Sequence, residues 1–225
     1  ISWLAYCNTT GLEEIDYIIS DKNLILDGEE KYYSEKVLKL PEIWNTHFGF
    51  NYDRNYNKIK NLNNSSFTFG SLNNFQKISK ETIEVWSSIL KKSENYYLIL
   101  KSSEFCDHSN LLHQFKEYKV NNQIKILDRN NFKEKKDHLE LYKEIDLALD
   151  TFPYNGVTTT FESLWMNVPV LVLKGFNFNS RCGESIMKNS GLEYFIAKDK
   201  NDYIEKALNL AENKDQLTSY RKNIY

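Results

Sequence analysis

Short apolar runs alternate with longer stretches of helical periodicity from Ser66 to the end of the chain. The central example begins with the apolar run Leu147–Leu149, continues through a turn-rich loop and a helical pattern over Phe161–Met166, and ends with the apolar run Val168–Leu173. Two short apolar strands around one helix are typical of a parallel βαβ unit that is covered on both faces. Because this alternation repeats with short connections, the sequence predicts an α/β fold, a Rossmann-like parallel sheet with helices on both faces.

The same patterns predict the remaining elements and a division of the chain. The predicted strands are Ile1–Tyr6, Phe67–Gly70, Tyr96–Leu100, Ile124–Leu127 and Tyr194–Ala197. The predicted helices are Leu12–Ile19, Glu81–Lys92, Asn110–Tyr118, Asp137–Ile145, Arg181–Ser190 and a terminal helix that is capped by Asn201 or Asp202 and runs to Ala211. Residues 46–65 show no clear period, so we predict a linker there, between a segment of residues 1–45 and a lobe of residues 66–225.

The loop after the predicted central strand holds the first candidate site. In open α/β sheets, ligands bind beyond the carboxyl ends of the strands, which is where this loop lies. Asn155 and Gly156 let the backbone turn sharply, and Thr158 and Thr159 then bring hydroxyls and unpaired N–H groups to a helix start, which suits an anion. Glu162 follows one helical turn later on the same side. A plain N-cap with a capping box explains the same pattern equally well.

Three basic side chains are further candidates. Lys77 follows the first strand of the 66–225 lobe, where a cation can neutralise a departing diphosphate. Lys135 and His138 are spaced to share a helix face, and an imidazole at a pocket rim can stack on a nucleobase. Each has a simpler interpretation. Lys77 can be a solvated lysine before a helix, and the other two can belong to a charged helix start with Asp137 at the favourable end of the dipole.

Composition excludes several classes of protein. The 225 residues are 41% hydrophobic and carry a formal net charge of -2, which suits one core or one domain with part of another and gives no reason to expect nucleic acid or membrane partners. No apolar run approaches the roughly 20 residues of a membrane span, and no secretory signal is visible. The 3 cysteines lack CxxC spacing, which argues against a disulfide framework or zinc ribbon and favours a reducing cytoplasm. Because the chain begins with Ile1, we expect a piece of a longer protein.

One long motif resembles a known family. The stretch from Asp150 to Val170 reads Asp-Thr-Phe-Pro-Tyr-Asn-Gly-x-Thr-Thr-Thr-x-Glu-x-Leu-Trp-x-x-Val-Pro-Val. It resembles the C-terminal catalytic lobe of the O-linked N-acetylglucosamine transferase family (glycosyltransferase family 41), which includes the plant SPINDLY-type protein and bacterial relatives. A weaker resemblance covers most of the chain. It implies a GT-B fold, in which residues 66–225 are the nucleotide-sugar-binding lobe and residues 1–45 are the end of the N-terminal catalytic lobe.

The resemblance gives the basic candidates specific roles. The segment Asn73-Asn74-x-x-Lys77-Ile78 resembles the family segment whose lysine contacts the donor's diphosphate, which makes Lys77 the predicted catalytic residue. The pair Lys135-x-x-His138 resembles the motif that contacts the uridine. Asn74 stands where some members have glutamine, and its shorter amide can still donate a hydrogen bond.

The resemblance also covers the helix start. Thr158 and Thr159 resemble the paired threonines that bind the donor phosphates, and Glu162 stands where an acidic residue contacts the ribose. Val157 stands where some members have histidine, which removes one polar contact near the sugar. The complete predicted donor-binding set is Asn74, Lys77, Lys135, His138, Asn155, Gly156, Thr158, Thr159 and Glu162. Neither a metal site nor a cofactor is expected, since His108 and His113 have no helical ligand spacing.

The implied activity is that of an inverting, metal-independent glycosyltransferase. It would move N-acetylglucosamine or a related hexose from a UDP-sugar to Ser or Thr of a protein acceptor, with tetratricopeptide (TPR) repeats upstream in the full-length chain. The family's N-terminal-lobe histidines would precede Ile1, so the fragment alone is expected to bind donor better than it turns it over. Three alternatives stay open: a relative that uses UDP-glucose or GDP-fucose, a non-catalytic nucleotide-sugar-binding or interaction module, and a GT-B transferase for lipid-linked or cell-wall sugars.

Overall fold

The computed structural model describes residues 1–4, 7–47, 49, 62, 65–102, 108–128 and 134–224. Most of the predicted linker and the end of the predicted strand Ile1–Tyr6 lie outside these residues. The strands are β1 Tyr17–Asp21, β2 Lys36–Leu40, β3 Phe67–Ser71, β4 Tyr96–Lys101, β5 Ile124–Leu127, β6 Leu147–Leu149, β7 Val170–Leu173 and β8 Ile196–Ala197. The helices are α1 Lys80–Leu90, α2 His108–Glu117, α3 Lys135–Glu140, α4 Thr158–Trp165, α5 Phe178–Asn189, α6 Lys200–Glu212 and α7 Lys214–Lys222.

Six parallel strands form the main sheet in the order β5-β4-β3-β6-β7-β8. This is the order of a doubly wound sheet, and the direction in which strands are added reverses between β3 and β6. Every residue of β6 is buried, although successive side chains of a strand point to opposite faces. Both faces of the sheet centre are therefore covered, as the continuous apolar runs predict.

Local signals fix the helix ends. Ser79 caps α1 by accepting a hydrogen bond from the Thr82 N–H, and Gly191, with a φ of +68°, follows α5 directly after its C-cap residue. The predicted cap of the terminal helix is wrong. Asp199 caps α6 by accepting from the Asp202 N–H, because its extended backbone turns the carboxylate back onto the first turn.

Two further predictions assign the wrong type of secondary structure. The predicted helix Leu12–Ile19 does not form, since its end belongs to β1, which pairs in parallel with β2. The branched residues Ile18 and Ile19 suit a strand, and a partner 19 residues further along the chain is not visible in a local pattern. The predicted strand Tyr194–Ala197 begins as a 3₁₀ turn over Glu193–Phe195 and contributes only β8 to the sheet.

The β1–β2 segment is anchored to the main lobe at α5. Arg181 donates to both carboxylate oxygens of Glu29, at 2.5 and 2.9 Å, and Ser185 donates to Asp21 at 2.6 Å. Arg181 therefore has a structural role, since it joins α5 to the segment before β2. The division of the chain at residues 46–65 stays a prediction. Within the described part of the chain, no helix combines the length and the apolar character that crossing a bilayer requires.

Candidate active site

A cleft of about 430 Å³ lies where the direction of strand addition reverses. We refer to it as the switch-point cleft. Its walls come from the loop after β3, from the loop between β6 and α4, and from the N-terminal segment. The lining residues are Leu4, Cys7, Trp44, Asn45, Asn73, Asn74, Lys77, Tyr154, Val157, Thr158 and Thr159. This is the position at which doubly wound sheets bind ligands.

Lys77 is held in this cleft by two loops. It ends a 3₁₀ turn that Asn74 caps by accepting a hydrogen bond from the Gln76 N–H. The ammonium donates to the Asn155 carbonyl at 2.8 Å and lies 4.2 Å from the centre of the Tyr154 ring. Partial burial lowers the pKa of Lys77, while the nearby Asp150 carboxylate opposes this shift. A cation that is partly removed from water attracts an anion more strongly than a solvated lysine does.

The start of α4 forms the opposite wall. Val157 precedes the helix and makes no side-chain cap, so the capping-box interpretation does not hold here. The Thr159 hydroxyl instead donates to the Asn73 side-chain oxygen at 2.5 Å. The uncapped start of α4, which is the positive end of the helix dipole, lines the same cleft as Lys77.

Asp150 connects the loop after β3 to the loop between β6 and α4. One of its carboxylate oxygens accepts hydrogen bonds from the Asn73 amide at 3.0 Å, the Thr151 N–H at 2.9 Å and the Gly156 N–H at 2.8 Å. Asp150 thus bonds its own loop, and in addition it reaches Asn73 and through it Thr159. Burial raises the pKa of Asp150 to about 7, against the hydrogen bonds from Gly156 and Asn73 and the charge of Lys77.

Gly156 and Asn155 support this loop and lie beneath the cleft. A Cβ on Gly156 would collide with the Thr159 hydroxyl and the Asn73 side chain, so glycine is needed for the close approach of these groups. The Asn155 side chain donates to the Thr151 carbonyl at 2.9 Å and accepts from the Gly183 N–H at 3.1 Å. Both residues are buried, and they shape the site without facing its opening.

Lys135, His138, Tyr142 and Glu162 form a second group of polar side chains, which we name the Glu162 cluster. One Glu162 oxygen pairs with Lys135, and the other contacts the His138 Nε2 at 2.8 Å and accepts from the Tyr142 hydroxyl at 3.3 Å. Burial opposes ionisation here, but the contacts with His138 and Lys135 prevail and lower the pKa of Glu162. Tyr142 also donates to the Thr159 carbonyl at 3.0 Å, which ties the cluster to the start of α4.

The His138 imidazole is buried within this cluster, whereas the sequence predicted it at the rim of a pocket. His138 is only 8% exposed, because its ring lies between Glu162 and the Lys101 ammonium, which is 2.8 Å from Nδ1. Lys135 is the member that reaches solvent, with 52% of its side chain exposed. Contact with a nucleoside at this cluster would therefore begin at Lys135.

The structure brings the predicted residues together in three groups. Asn74, Lys77, Thr158 and Thr159 line the cleft, Asn155 and Gly156 lie beneath it, and Lys135, His138 and Glu162 form the cluster. Sequence reasoning left Asn73 out of the set and assigned no bracing role to Asp150. Both lie just beyond the carboxyl ends of central strands, which is the signal that could have identified them. Among the described residues, no group of three or more His, Cys, Asp or Glu side chains is arranged to hold a metal ion.

Comparison with known proteins identifies the family. The sequence model of glycosyl transferase family 41 matches residues 53–225. The chain belongs to this family. A probable UDP-N-acetylglucosamine--peptide N-acetylglucosaminyltransferase SPINDLY from Eustoma exaltatum subsp. russellianum is 34% identical over 228 residues, which cover 98% of this chain and 24% of that protein. The protein of the same name from Solanum lycopersicum is 32% identical over 231 residues, covering 100% of this chain and 24% of its own length.

A solved structure gives the same result for the fold. A mutant O-GlcNAc transferase of Thermobaculum terrenum superposes with a TM-score of 0.87 at 28% identity, covering 99% of this chain and 42% of that chain. The predicted GT-B fold and the assignment to the C-terminal catalytic region are therefore confirmed. The family 41 chain described here spans about a quarter of the length of these curated relatives.

Proposed function

We propose that this chain is the donor-binding part of a family 41 glycosyltransferase that transfers N-acetylglucosamine, or a related hexose, from a UDP-sugar to Ser or Thr of proteins. The observation that carries the proposal is the pairing of the Lys77 ammonium with the uncapped start of α4 across one cleft. Two positive groups that line the same cleft suit a diphosphate better than a single phosphate or a neutral sugar, because a diphosphate offers oxygens to both.

The proposed chemistry is displacement at the anomeric carbon with inversion. Negative charge builds on the β-phosphate of the leaving UDP, and Lys77 and the N–H groups of α4 stabilise that charge in place of a metal. Asp150 and Asn73 keep both groups in position before the donor arrives, so little reorganisation is needed during the reaction. The Glu162 cluster receives the nucleoside, with Lys135 as its exposed member.

The rest of the activity depends on protein outside this chain. The named relatives are peptide N-acetylglucosaminyltransferases, which supports a protein acceptor. Upstream TPR repeats, a cytoplasmic location and the absence of a cofactor remain predictions from the family resemblance. The chain by itself is expected to bind donor and to turn it over poorly.

Ligand-dependent thermal denaturation tests the donor class. UDP, UDP-N-acetylglucosamine, UDP-glucose and GDP-fucose are compared with uridine on the wild type and on Lys77→Met, with Lys80→Met as the matched control at a nearby exposed lysine. Ligand at about 100 times its dissociation constant should stabilise the fold by roughly 2.7 kcal/mol. We expect this shift for UDP and its sugars, its loss in Lys77→Met and its retention in Lys80→Met.

The other outcomes contradict the proposal in distinguishable ways. A shift with GDP-fucose alone would assign the chain to a fucose-transferring branch. A UDP shift without sugar transfer by the full-length protein would favour a nucleotide-sugar-binding module. The absence of any shift in the full-length protein would refute the proposed nucleotide site.

A further inference from the structure

Two cysteines far apart in the sequence meet at the wall of the switch-point cleft. Cys7 lines the cleft and is partly exposed, whereas Cys182 is buried on α5. Their sulfur atoms lie 3.9 Å apart, although 175 residues separate them in the chain. The Cys182 thiol is oriented towards Cys7 and also lies 3.3 Å from the Phe178 carbonyl. The described residues thus contain a thiol pair that joins the N-terminal segment to the main lobe.

The surroundings make the two thiols chemically different. The thiol of Cys182 donates to Cys7 and lowers the pKa of Cys7; burial opposes this shift, and the charge of Lys77 adds to it. The same interaction and burial raise the pKa of Cys182. A partly exposed thiol with a lowered pKa beside a buried thiol with a raised pKa is the arrangement of a reactive cysteine with its resolving partner.

We propose that Cys7 and Cys182 are a redox modification site, in which hydrogen peroxide converts the two thiols to a disulfide between the N-terminal segment and α5. In the first step the Cys7 thiolate attacks peroxide, so that an S–O bond forms, the O–O bond breaks and hydroxide leaves. In the second step the Cys182 sulfur attacks the sulfenic acid of Cys7. The S–S bond forms, the S–O bond breaks, and the departing hydroxide takes the thiol proton to give water.

Both steps fit the geometry. Closing a disulfide requires the sulfur atoms to approach from 3.9 Å to about 2.0 Å, and Cys7 lies outside the helices and strands, so this approach breaks no helix or sheet hydrogen bond at Cys7. The Cys7 thiolate is negatively charged and disfavours ionisation of Cys182. When Cys7 becomes a neutral sulfenic acid this charge is removed, so the Cys182 thiol becomes a better nucleophile. The two sulfur atoms together lose two electrons, and peroxide is reduced to two molecules of water.

Nucleotide bound in the cleft should shield the thiol pair, an expectation that rests on the proposed function. Cys7 shares the cleft with Lys77, Thr158 and Thr159, so a diphosphate bound there covers the Cys7 thiol. Nucleotide occupancy should therefore protect the pair, and oxidation should proceed fastest in the donor-free protein.

Peptide mapping after peroxide treatment tests the site. The protein carries Cys106→Ser so that only the pair can react, and Cys182→Ser in the same background is the control. We expect one linked peptide containing Cys7 and Cys182 that dithiothreitol separates, and in the control a sulfenic acid at Cys7 that dimedone traps. If Cys7 is over-oxidised while Cys182 stays a free thiol, or if neither residue reacts, the disulfide proposal is overturned.

UDP then separates the two proposals. We expect saturating UDP to slow disulfide formation several-fold, and uridine, which has no phosphate, to leave the rate unchanged. If UDP binds but the rate does not change, the protection by nucleotide is refuted while the disulfide stands. If UDP does not bind at all, the proposed donor site fails and the peptide mapping still decides the thiol pair.

Discussion

Asp150 under the switch-point cleft and Glu162 in the cluster are both buried carboxylates, yet their surroundings affect ionisation in opposite directions. Asp150 accepts hydrogen bonds from neutral amide groups, and burial raises its pKa to about 7. Glu162 faces the side chains of Lys135 and His138, and its pKa is lowered despite burial. In the cleft, the Lys77 ammonium donates to a neutral carbonyl, whereas in the cluster Lys135 and His138 already contact the Glu162 carboxylate. Under the proposed function, the diphosphate site is therefore preformed, and the nucleoside site must exchange partners when the donor binds.

The largest expected effect concerns Asp150 and pH. Because the pKa of Asp150 is raised in the folded state from 3.8 to about 7, its contribution to stability is full below pH 4 and is lost as the pH rises to about 7. The free energy of unfolding of the wild type relative to Asp150→Asn should therefore fall by about 4 kcal/mol across this range. Urea denaturation at a series of pH values measures it. Asp215→Asn, at an exposed position, should show no such trend. If the difference in the free energy of unfolding between the wild type and Asp150→Asn does not change with pH, the raised pKa of Asp150 is refuted.

The next effect concerns turnover. In the full-length protein, Lys77→Met should lower kcat by about a hundredfold, because the charge that builds on the leaving diphosphate loses its cation. Steady-state transfer to a protein acceptor measures this, with Lys80→Met as the control. Equal losses in both variants, or an unchanged kcat in Lys77→Met, would mean that Lys77 does not act on the leaving group.

Glu162→Gln should have a smaller effect with the opposite pH dependence. Since the folded-state pKa of Glu162 is lowered, its contribution is present above pH 4.5 and is lost as the pH falls through the folded-state pKa. We expect a loss of about 1–2 kcal/mol at pH 7, because Lys135 is half exposed and water screens part of the pairing. Urea denaturation with Glu205→Gln as the exposed control measures the loss. A difference that grows as the pH falls would contradict the assignment of the cluster.

Lys135→Met should have the smallest effect. We expect the dissociation constant for UDP to rise about threefold, with no change for pyrophosphate, because an exposed lysine contributes well under 1 kcal/mol. Isothermal titration calorimetry with both ligands measures it, and Lys136→Met is the neighbouring control. A loss of pyrophosphate affinity in Lys135→Met would show that the cleft and the cluster are not separate binding regions.

Sequence patterns predicted the sheet because its central strands are apolar on both faces, as the fully buried β6 illustrates. Thr158, Thr159 and Lys77 were chosen as candidates because they follow strand ends, where doubly wound sheets place their ligands, and because their segments resemble the family's motifs. The contacts between these groups were not visible. Asn73 and Asp150 are 77 residues apart, and Cys7 and Cys182 are 175 apart, so only the folded topology brings them together. The predicted helix Leu12–Ile19 failed for the same reason, since β2 pairs with its end.

The most direct test of the central claim is a crystal structure of the chain with UDP. We expect the diphosphate to lie in the switch-point cleft, with a β-phosphate oxygen within hydrogen-bonding distance of both the Lys77 ammonium and the first N–H groups of α4. UDP bound elsewhere, or bound in the cleft with Lys77 still directed only to the Asn155 carbonyl, would contradict it.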